Sequence, residues 1–152
     1  MHEQDFLIFE TGGIKCAFPV EDSERVVQAA KLTAYPTMPE EMEGMLNIGE
    51  ELIPVIDLRY MLEVEKTDLS PIHYFLVFNT IDGVVAIRAE TMPATTKIKF
   101  DQAEVLDRIG DRPEQIKNMI GKDDQTILIL EPDGLYPRSS VDFVRGIIKP
   151  EA

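Results

Sequence analysis

Short apolar runs, rich in β-branched and aromatic residues, recur along the chain and are separated by turn-forming residues. The runs cover residues 6–9, 15–19, 25–29, 45–48, 52–56, 74–78, 84–87, 96–100 and 126–130. Glycine, proline and aspartate lie between them, for example in Gly12-Gly13 and Asp82-Gly83. Short strands at regular spacing with turn signals are typical of barrels and sandwiches. The pattern therefore predicts an all-β fold with a few short helices.

Three segments carry helical signals. Residues 39–44 begin with proline, continue with acidic residues and end in glycine, which predicts a single helical turn. Residues 101–108 place apolar side chains at helical spacing. Residues 139–148 do the same, with one of the two initial serines as a cap, but Gly146 leaves a strand open as the alternative.

An internal repeat relates the two halves of the chain. Residues 6–11 are Phe-Leu-Ile-Phe-Glu-Thr, and residues 75–80 are Phe-Leu-Val-Phe-Asn-Thr. At the same offset, Ala17, Phe18 and Glu21 align with Ala86, Ile87 and Glu90. A second sequence similarity relates residues 55–57 to residues 129–131. Self-similarity at a constant offset indicates a duplicated unit, here a strand, a glycine turn and a second strand.

The repeat predicts one domain, residues 1–152, made of two similar β-lobes. The first lobe is expected at about residues 6–66 and the second at about residues 70–136, joined near residues 63–71. Residues 137–152 would then form a C-terminal tail.

Residues 52–56 are continuously apolar, as in a fully buried strand. Pro54 within this run cannot donate a ladder hydrogen bond, which predicts an edge position or a bulge. An edge beside a partner surface would serve for docking. Asp57 is expected to cap the turn at residues 58–62, and Arg59 to pair with Asp57 or with another carboxylate. For both residues, a local structural role is favoured over direct contact with a partner.

The charge balance argues against nucleic acid as a partner. The chain carries 28 acidic and 15 basic residues, for a net charge of −13. Binding to phosphates needs clustered Lys and Arg, so nucleic acid and anionic membranes are disfavoured and a protein partner is favoured. No apolar run has the length of a membrane span, and residues 1–5 are polar and acidic, unlike a signal peptide. We therefore expect a cytoplasmic protein without membrane insertion.

The sequence supplies no set of residues for catalysis or metal binding. Cys16, the single cysteine, lies in an apolar stretch and is expected to be buried and inert. The two histidines, His2 and His73, are too few for a usual zinc site, and His73 is expected to be a surface or hydrogen-bonded residue. The sequence has no nucleophile elbow and no phosphate-binding loop. We therefore expect no enzyme activity, no cofactor and no metal.

Residues 44–59 carry a resemblance to a known family. Their sequence, Gly-Met-Leu-Asn-Ile-Gly-Glu-Glu-Leu-Ile-Pro-Val-Ile-Asp-Leu-Arg, is similar to the hallmark G-V-I-N-L-R-G-x-x-I-P-V-I-D-L-R of the CheW-like family. The residues that fit are Gly44, Asn47, Ile53, Pro54, Val55, Ile56, Asp57, Leu58 and Arg59. Residues 6–21 resemble the family's first hairpin, and the similarity extends over about residues 6–136.

The resemblance implies a fold and a role. The fold would be two five-stranded SH3-like β-barrel lobes packed around a shared core. The role would be non-enzymatic: a chemotaxis adaptor that couples the regulatory domain of a CheA-type histidine kinase to the cytoplasmic tip of chemoreceptors. By the same resemblance, the receptor groove would include Arg25, Val27, Asn47, Gly49 and Glu50, and kinase-side or structural roles would fall to Gly44, Asp57 and Arg59.

Two positions depart from the family pattern. The family's arginine, associated with receptor binding, falls on Gly49, and its following glycine falls on Glu50. A glutamate usual in the first lobe falls on Arg25, and the valine before it on Ser23. Either the receptor interface is rewired with altered charge complementarity, or ordinary receptor binding is lost. In the second case the protein is a divergent CheW-like module of another signalling pathway.

A remote alternative belongs to another class of protein. A small β-barrel ligand-binding protein or enzyme would share the strand pattern, since fold does not determine function. An ordered ligand or metal between the lobes would favour that reading, but the sequence offers no residues to assign to its chemistry.

Overall fold

The computed structural model describes residues 3–65, 67–99, 104–105, 116–122 and 125–148. The strands are β1 (Glu3–Thr11), β2 (Ile14–Pro19), β3 (Ser23–Gln28), β4 (Met42–Ile48), β5 (Glu51–Ile56), β6 (Tyr74–Thr80), β7 (Gly83–Ala89), β8 (Ala94–Lys99), β9 (Glu104–Val105), β10 (Ile116–Lys122) and β11 (Gln125–Leu130). The helices are α1 (Leu58–Met61) and α2 (Arg138–Ile148), with 3-10 turns at Val20–Asp22 and Pro132–Leu135. The predicted all-β fold with a few short helices is confirmed.

The strands form two sheets. One has the order β8-β1-β2-β11-β10-β9, in which β9 is a strand of two residues, and the other has the order β3-β6-β7-β5-β4. Each sheet contains an antiparallel hairpin, β1–β2 or β6–β7, whose second strand runs parallel to its next neighbour, β11 or β5. These hairpins carry the sequence repeat.

Both sheets follow one plan. The first five strands, β1 to β5, correspond in order to β6, β7, β8, β10 and β11 of the second half. When each strand is numbered by its place in its own half, both sheets have the order third, first, second, fifth, fourth, and β9 is an addition at the edge of one sheet. Each sheet takes its first and second strands from one half of the chain and its remaining strands from the opposite half. The duplication is therefore present in the structure, with the two hairpins exchanged between the halves.

This exchange corrects the predicted lobe boundaries, residues 6–66 and 70–136. The β1–β2 hairpin pairs with second-half strands, and the β6–β7 hairpin pairs with first-half strands. Alternating hydrophobicity fixes which face of a strand is buried, but it does not name the partner strand. Because the repeat makes the two hairpins alike, the sequence leaves the exchange unspecified.

A backbone bridge brings together the two edges of the five-stranded sheet. The chain leaving β3 reaches Thr33, which pairs antiparallel with Met45 of β4 through hydrogen bonds of 2.9 and 2.8 Å. Since β3 and β4 are the outer strands of this sheet, the bridge curls it toward closure. Closure of this kind agrees with an SH3-like barrel lobe.

Three hydrophobic clusters fill the molecule. The cluster inside the five-stranded lobe consists of Leu46, Ile53, Val55, Phe75, Val77 and Ala86. The cluster inside the other lobe consists of Phe6, Ala17, Ile98, Ile120, Ile127 and Ile129. The third and largest joins both sheets, and there the rings of Phe18 and Phe78 lie 4.7 Å apart. Two lobe interiors and a shared core between them match the predicted architecture.

The C-terminal segment is a helix, not a strand, and it forms part of the core. Val141 and Val144 of α2 are buried in the shared cluster, and Phe143 meets Tyr35 edge-on at 6.4 Å. The segment predicted as a tail is therefore integral to the fold up to the end of α2. Gly146 is exposed within the helix, so it lowers the helix propensity of this segment but does not disturb the packing of α2 against the core.

Two other predicted helices differ from the structure. Residues 39–44 form a turn, with Met42 N–H donating to the Pro39 carbonyl at 3.1 Å, and β4 begins at Met42. The terminal glycine of this segment lies inside β4, so it does not cap a helix. Of residues 101–108, positions 101–103 and 106–108 lie outside the described residues, and Glu104–Val105 form β9.

Two strand features also differ from expectation. β5 lies between β7 and β4, so Pro54 is not on an edge. Pairing with β7 begins at Val55, one residue after Pro54, and the irregularity in this hairpin lies on β4 between Met42 and Gly44. β10 was not predicted, because the adjacent polar residues Lys117 and Asn118 break the apolar alternation; the pairing of β10 with β11 shifts register at the same place.

Candidate partner-binding surface

The β4–β5 hairpin holds most of the candidate residues, and it separates them into two groups. Asn47, Gly49 and Glu50 lie at its turn, where Ile48 pairs with Glu51. Gly44 pairs with Val55 toward the other end, which leads into α1. At about 3.3 Å per residue, Gly44 lies about 10 Å from Asn47 along β4. The sequence candidates therefore fall into an exposed group at the turn and a buried group, Gly44, Asp57 and Arg59, toward α1.

The turn of this hairpin is open to solvent. Asn47, Gly49 and Glu50 are exposed. Gly49 has φ of +60°, and no described atom lies within 4 Å of the position that a Cβ would take. A hairpin turn with a left-handed first residue favours glycine there. The position has room for a long side chain but strains any residue other than glycine.

Arg25 lies next to this turn. Its Nη2 is 2.5 Å from Oε1 of Glu51 in β5, and its Nε is 3.4 Å from Oε1 of Glu24. β3 therefore reaches β5 through a side-chain ion pair, at the end of the hairpin that carries Gly49. The cation that departs from the family pattern is thus held by carboxylates of this chain.

Val27 differs from the other groove candidates. It is partly buried and packs against the interior cluster of the five-stranded lobe. Side chains two residues apart on a strand point to the same face, so Arg25 points toward the end of this interior. Val27 contributes to the lobe interior, and Arg25 with Glu51 covers one end of it.

Gly44 is required by a close backbone approach. Its φ is +155°, and a Cβ there would lie 2.8 Å from Leu32 Cβ and 3.0 Å from the Thr33 carbonyl oxygen. The crossing segment after β3 therefore packs directly on Gly44, beside the bridge that closes the sheet. A side chain at this position would separate the two edges of the sheet.

Asp57 caps α1, as predicted. Its carboxylate accepts a hydrogen bond from the Tyr60 N–H at 3.1 Å, and its own N–H donates to the Glu41 carbonyl at 2.6 Å. The residue is buried, so both bonds lie in the protein interior. A side-chain cap of this kind satisfies one of the free N–H groups at a helix start.

Arg59 pairs with Glu90, the repeat counterpart of Glu21. The buried Arg59 donates from Nε to Oε2 of Glu90 at 2.6 Å. Burial raises the pKa of Glu90, but hydrogen bonds from Gly12, Arg59 and Thr67 outweigh it and hold the pKa below its ordinary value. The pair joins α1 in the first half of the chain to the residue after β7 in the second half.

A second buried arginine, Arg88, was not singled out from the sequence. It forms two contacts with Glu43, Nε to Oε2 at 3.1 Å and Nη2 to Oε1 at 3.0 Å. It also donates to the carbonyls of Thr67 and Asp68 at 2.9 and 3.1 Å. The apolar run at residues 84–87 ends one residue before Arg88, and an arginine at the end of a buried strand is the signal that could have identified it.

A small cavity of about 230 Å³ lies between β5, the β6–β7 turn and α2. Leu52, Pro54 and Val144 supply apolar lining. At its border Asp82 is 3.4 Å from Arg145 and 3.5 Å from Arg138, so this aspartate pairs the β6–β7 turn with α2.

The described residues give no sign of a metal site or a membrane span. Among them, no group of three or more His, Cys, Asp and Glu side chains is placed to hold a metal ion. Within the same residues, no helix has the length and apolar character needed to cross a membrane. Cys16 is buried, and burial raises the pKa of its thiol to about 12.

Comparisons with known proteins agree with this geometry. Residues 5–140 match the CheW-like domain family. The chain is 25% identical over 144 residues to a chemotaxis protein CheW of Thermotoga maritima, with 93% of each chain covered. The fold is similar to the crystal structure of the scaffolding protein TtCheW from Thermoanaerobacter tengcongensis, with a TM-score of 0.79, 18% identity and 92% of each chain covered.

Two packed β-lobes with exposed turns and a shared core define a small two-lobed β-protein. The match covers nearly the whole chain, and the chain belongs to the CheW-like family.

Proposed function

We propose that this protein is a non-enzymatic adaptor that couples a CheA-type histidine kinase to the cytoplasmic tips of chemoreceptors. The observation that carries the proposal is the family match over residues 5–140, which includes the whole β4–β5 hairpin. The exposed turn of this hairpin and the exposed Tyr60 of α1, at its other end, would allow two partners to bind at once. Partners of this kind would place its work in the cytoplasm.

The proposal assigns the protein no chemistry of its own. Its buried ionisable side chains Arg59 and Arg88 are paired with carboxylates, Glu90 and Glu43, that join parts of the fold. Cys16 is enclosed in the shared core, away from any partner. Function would then lie in surfaces that bind other proteins, and turnover of a substrate is not expected.

Binding to the kinase can be tested by titrating the full chain with the regulatory domain of a CheA-type kinase from the same genome, using calorimetry. We expect a saturable one-to-one complex and no turnover. A substitution at the α1 end of the β4–β5 hairpin that keeps the fold, such as Tyr60→Ala at an exposed residue, would map the surface. Absence of binding at tens of micromolar would contradict the proposal.

A second candidate function is a divergent CheW-like module that has lost ordinary receptor binding. The observation that favours it is the charge at the β4–β5 turn, where Arg25 is engaged by Glu51 and Glu24 while Gly49 and Glu50 offer no cation. On the adaptor proposal, the receptor instead presents a complementary charge to this altered turn.

Gly49→Arg separates these two candidates. Receptor binding that is unchanged or weakened by the new arginine supports a rewired interface, because opposite charges across an interface favour association. Binding that first appears with the arginine supports a lost interface. Gly13→Arg is the matched control: Gly13 also has a positive φ, +76°, with no described atom within 4 Å of a Cβ, but it lies in the β1–β2 turn. Backbone strain would affect both variants alike.

A further inference from the structure

The segment that connects the two halves of the chain is held by a buried cluster of polar side chains. Arg88 of β7 binds the carbonyls of Thr67 and Asp68, and the Thr67 hydroxyl donates to Glu90 at 3.0 Å. At the other end of the segment, His73 N–H donates to the Ser70 carbonyl at 2.9 Å. The segment of residues 67–73 therefore contacts β7 at one end and forms a turn at the other.

The ring of His73 completes this turn as a hydrogen-bond acceptor. Its Nδ1 is 3.3 Å from the Ser70 N–H and 3.2 Å from Nη1 of Arg88. Both neighbours are obligatory donors, so Nδ1 must be unprotonated and the proton of the neutral ring must be on Nε2. His73 is only 8% exposed, so water cannot readily replace these bonds.

Charged groups from several elements face this ring. Arg88 of β7 touches it, Arg59 of α1 adds positive charge, and Glu90 after β7 adds negative charge. Glu43 of β4 is the ion-pair partner of Arg88. Burial and the two arginines lower the pKa of His73, against the smaller opposing effect of Glu90.

We propose that His73 is a proton-sensitive clasp that holds the connecting segment, residues 67–73, against β7. A proton on Nδ1 would point at two donors and place a positive charge next to the Arg88 guanidinium. The ring would then have to leave its position, and the turn at Ser70 would lose its acceptor. The clasp is closed at neutral pH and opens as the medium becomes acidic.

Opening would change a surface cavity. The segment forms one wall of a cavity of about 320 Å³ through Leu69, Ser70 and Pro71, and residues 29–31 after β3 form the other wall. The two walls are tied by the Ala29 N–H, which donates to the His73 carbonyl at 2.9 Å. Protonation of His73 would therefore loosen both the connection between the halves and the chain that leaves β3.

The pH range follows from linkage. Histidine has an ordinary pKa of about 6.5, which applies when the clasp is open, and the closed form binds the proton less tightly. The equilibrium between closed and open forms is therefore constant above pH ~6.5. Below that pH it moves toward the open form by at most about tenfold per pH unit, as one proton is taken up.

Amide hydrogen exchange of the full chain between pH 5 and pH 8, followed by NMR and corrected for the intrinsic exchange rate, tests the proposal. Protection of the Ser70 and Ala29 amides should be constant above pH 6.5 and fall by up to about tenfold per unit below it. The amide of Val77 in β6 serves as an internal reference and should show no such fall. Protection of Ser70 that does not change with pH would overturn the proposal.

Two variants and one spectrum identify the residue responsible. His73→Gln, which cannot titrate, should abolish the pH dependence, and His2→Gln, at the other histidine of the chain, should leave it intact. A pH dependence that persists in His73→Gln would refute the proposal. If that variant fails to fold, the ¹⁵N shifts of the wild-type ring still decide, because a neutral ring carrying its proton on Nδ1 would contradict it.

Discussion

Buried arginines connect the two halves of this protein at the residue level. Arg59 in the first half of the chain pairs with Glu90 in the second half. Arg88 in the second half pairs with Glu43 in the first half. A buried ion pair adds little net stability over an apolar pair of similar volume, but the loss of one partner leaves a costly unpaired charge. We therefore expect these pairs to matter more for the uniqueness of the fold than for its total stability.

Replacement of Arg88 by Met tests this expectation. The single variant should lose about 3–5 kcal/mol of unfolding free energy, because the Glu43 carboxylate and the carbonyls of Thr67 and Asp68 all lose the bonds that Arg88 donates. The double variant Arg88→Met, Glu43→Leu should recover the part of that loss that comes from the Glu43 carboxylate, but not the part that comes from the two carbonyls. Chemical denaturation of the four proteins of the cycle provides the measurement. A double variant as unstable as the sum of the two single variants would contradict the account.

Cys16 gives a second prediction at this scale. Burial raises the pKa of its thiol to about 12, so the reactive thiolate is nearly absent near neutral pH. A disulfide reagent at pH 8 should label the native protein only as fast as the protein opens, and it should label the urea-unfolded protein at once. Rapid labelling of the native protein would show that Cys16 lies at the surface.

At the level of elements, helix α2 depends on a carboxylate outside the helix. Glu41 accepts hydrogen bonds from the hydroxyls of Ser139 and Ser140 in the first turn of α2, the second at 2.6 Å. The sequence predicted that one of these serines would cap the helix. In the structure both point to the segment before β4, which attaches α2 to the five-stranded lobe.

Glu41→Ala should therefore loosen α2. Burial raises the pKa of Glu41, but the two serine hydroxyls and a backbone hydrogen bond outweigh it and lower the pKa below its ordinary value of 4.5. A lowered carboxyl pKa adds stability above the ordinary pKa, and this stability is lost as the pH falls below about 4.5. The variant should lose about 1–2 kcal/mol at pH 7 and less at pH 3, as measured by thermal unfolding.

Glu40→Ala is the control, since Glu40 is the exposed neighbour of Glu41. It should leave unfolding nearly unchanged at both pH values. An equal effect of the two substitutions would mean that net charge matters here, and not the contact with α2.

The elements also show what the sequence can predict. Alternation and turn residues identified the strands of both repeated hairpins, and the cap at Asp57 was correct, because these features depend on neighbours along the chain. β5 is an inner strand and not the predicted edge, although its pairing with β7 begins only after Pro54, because strand order depends on strands distant in sequence. For the same reason the sequence left open whether Arg59 pairs with Asp57 or with a carboxylate elsewhere, and the structure shows the pair with Glu90.

At the level of the whole molecule, the exchange of hairpins makes the halves interdependent. Each sheet needs two strands from the other half, and the shared core joins both sheets. The repeat predicted two similar lobes, but it could not predict the exchange, because either hairpin fits either lobe by pattern alone. The candidate groove depends on the same exchange: Arg25 lies on β3, which pairs with β6 of the second half.

The exchange predicts that neither half folds alone. A fragment of residues 1–69 and a fragment of residues 70–152 should each lack cooperative thermal unfolding by circular dichroism, because each would leave strand edges and core faces unpaired. An equimolar mixture should regain β-structure if the fragments can assemble. A single half with a cooperative transition would indicate that each lobe is built from its own half.

Coupling itself is the central claim, and co-sedimentation tests it most directly. Vesicles that carry the chemoreceptor are mixed with the CheA-type kinase, with and without this protein, and then pelleted. The account predicts that the kinase pellets with the receptor vesicles in proportion to added protein, up to saturation. A kinase that remains in the supernatant at saturating protein, while binding this protein in solution, would contradict it.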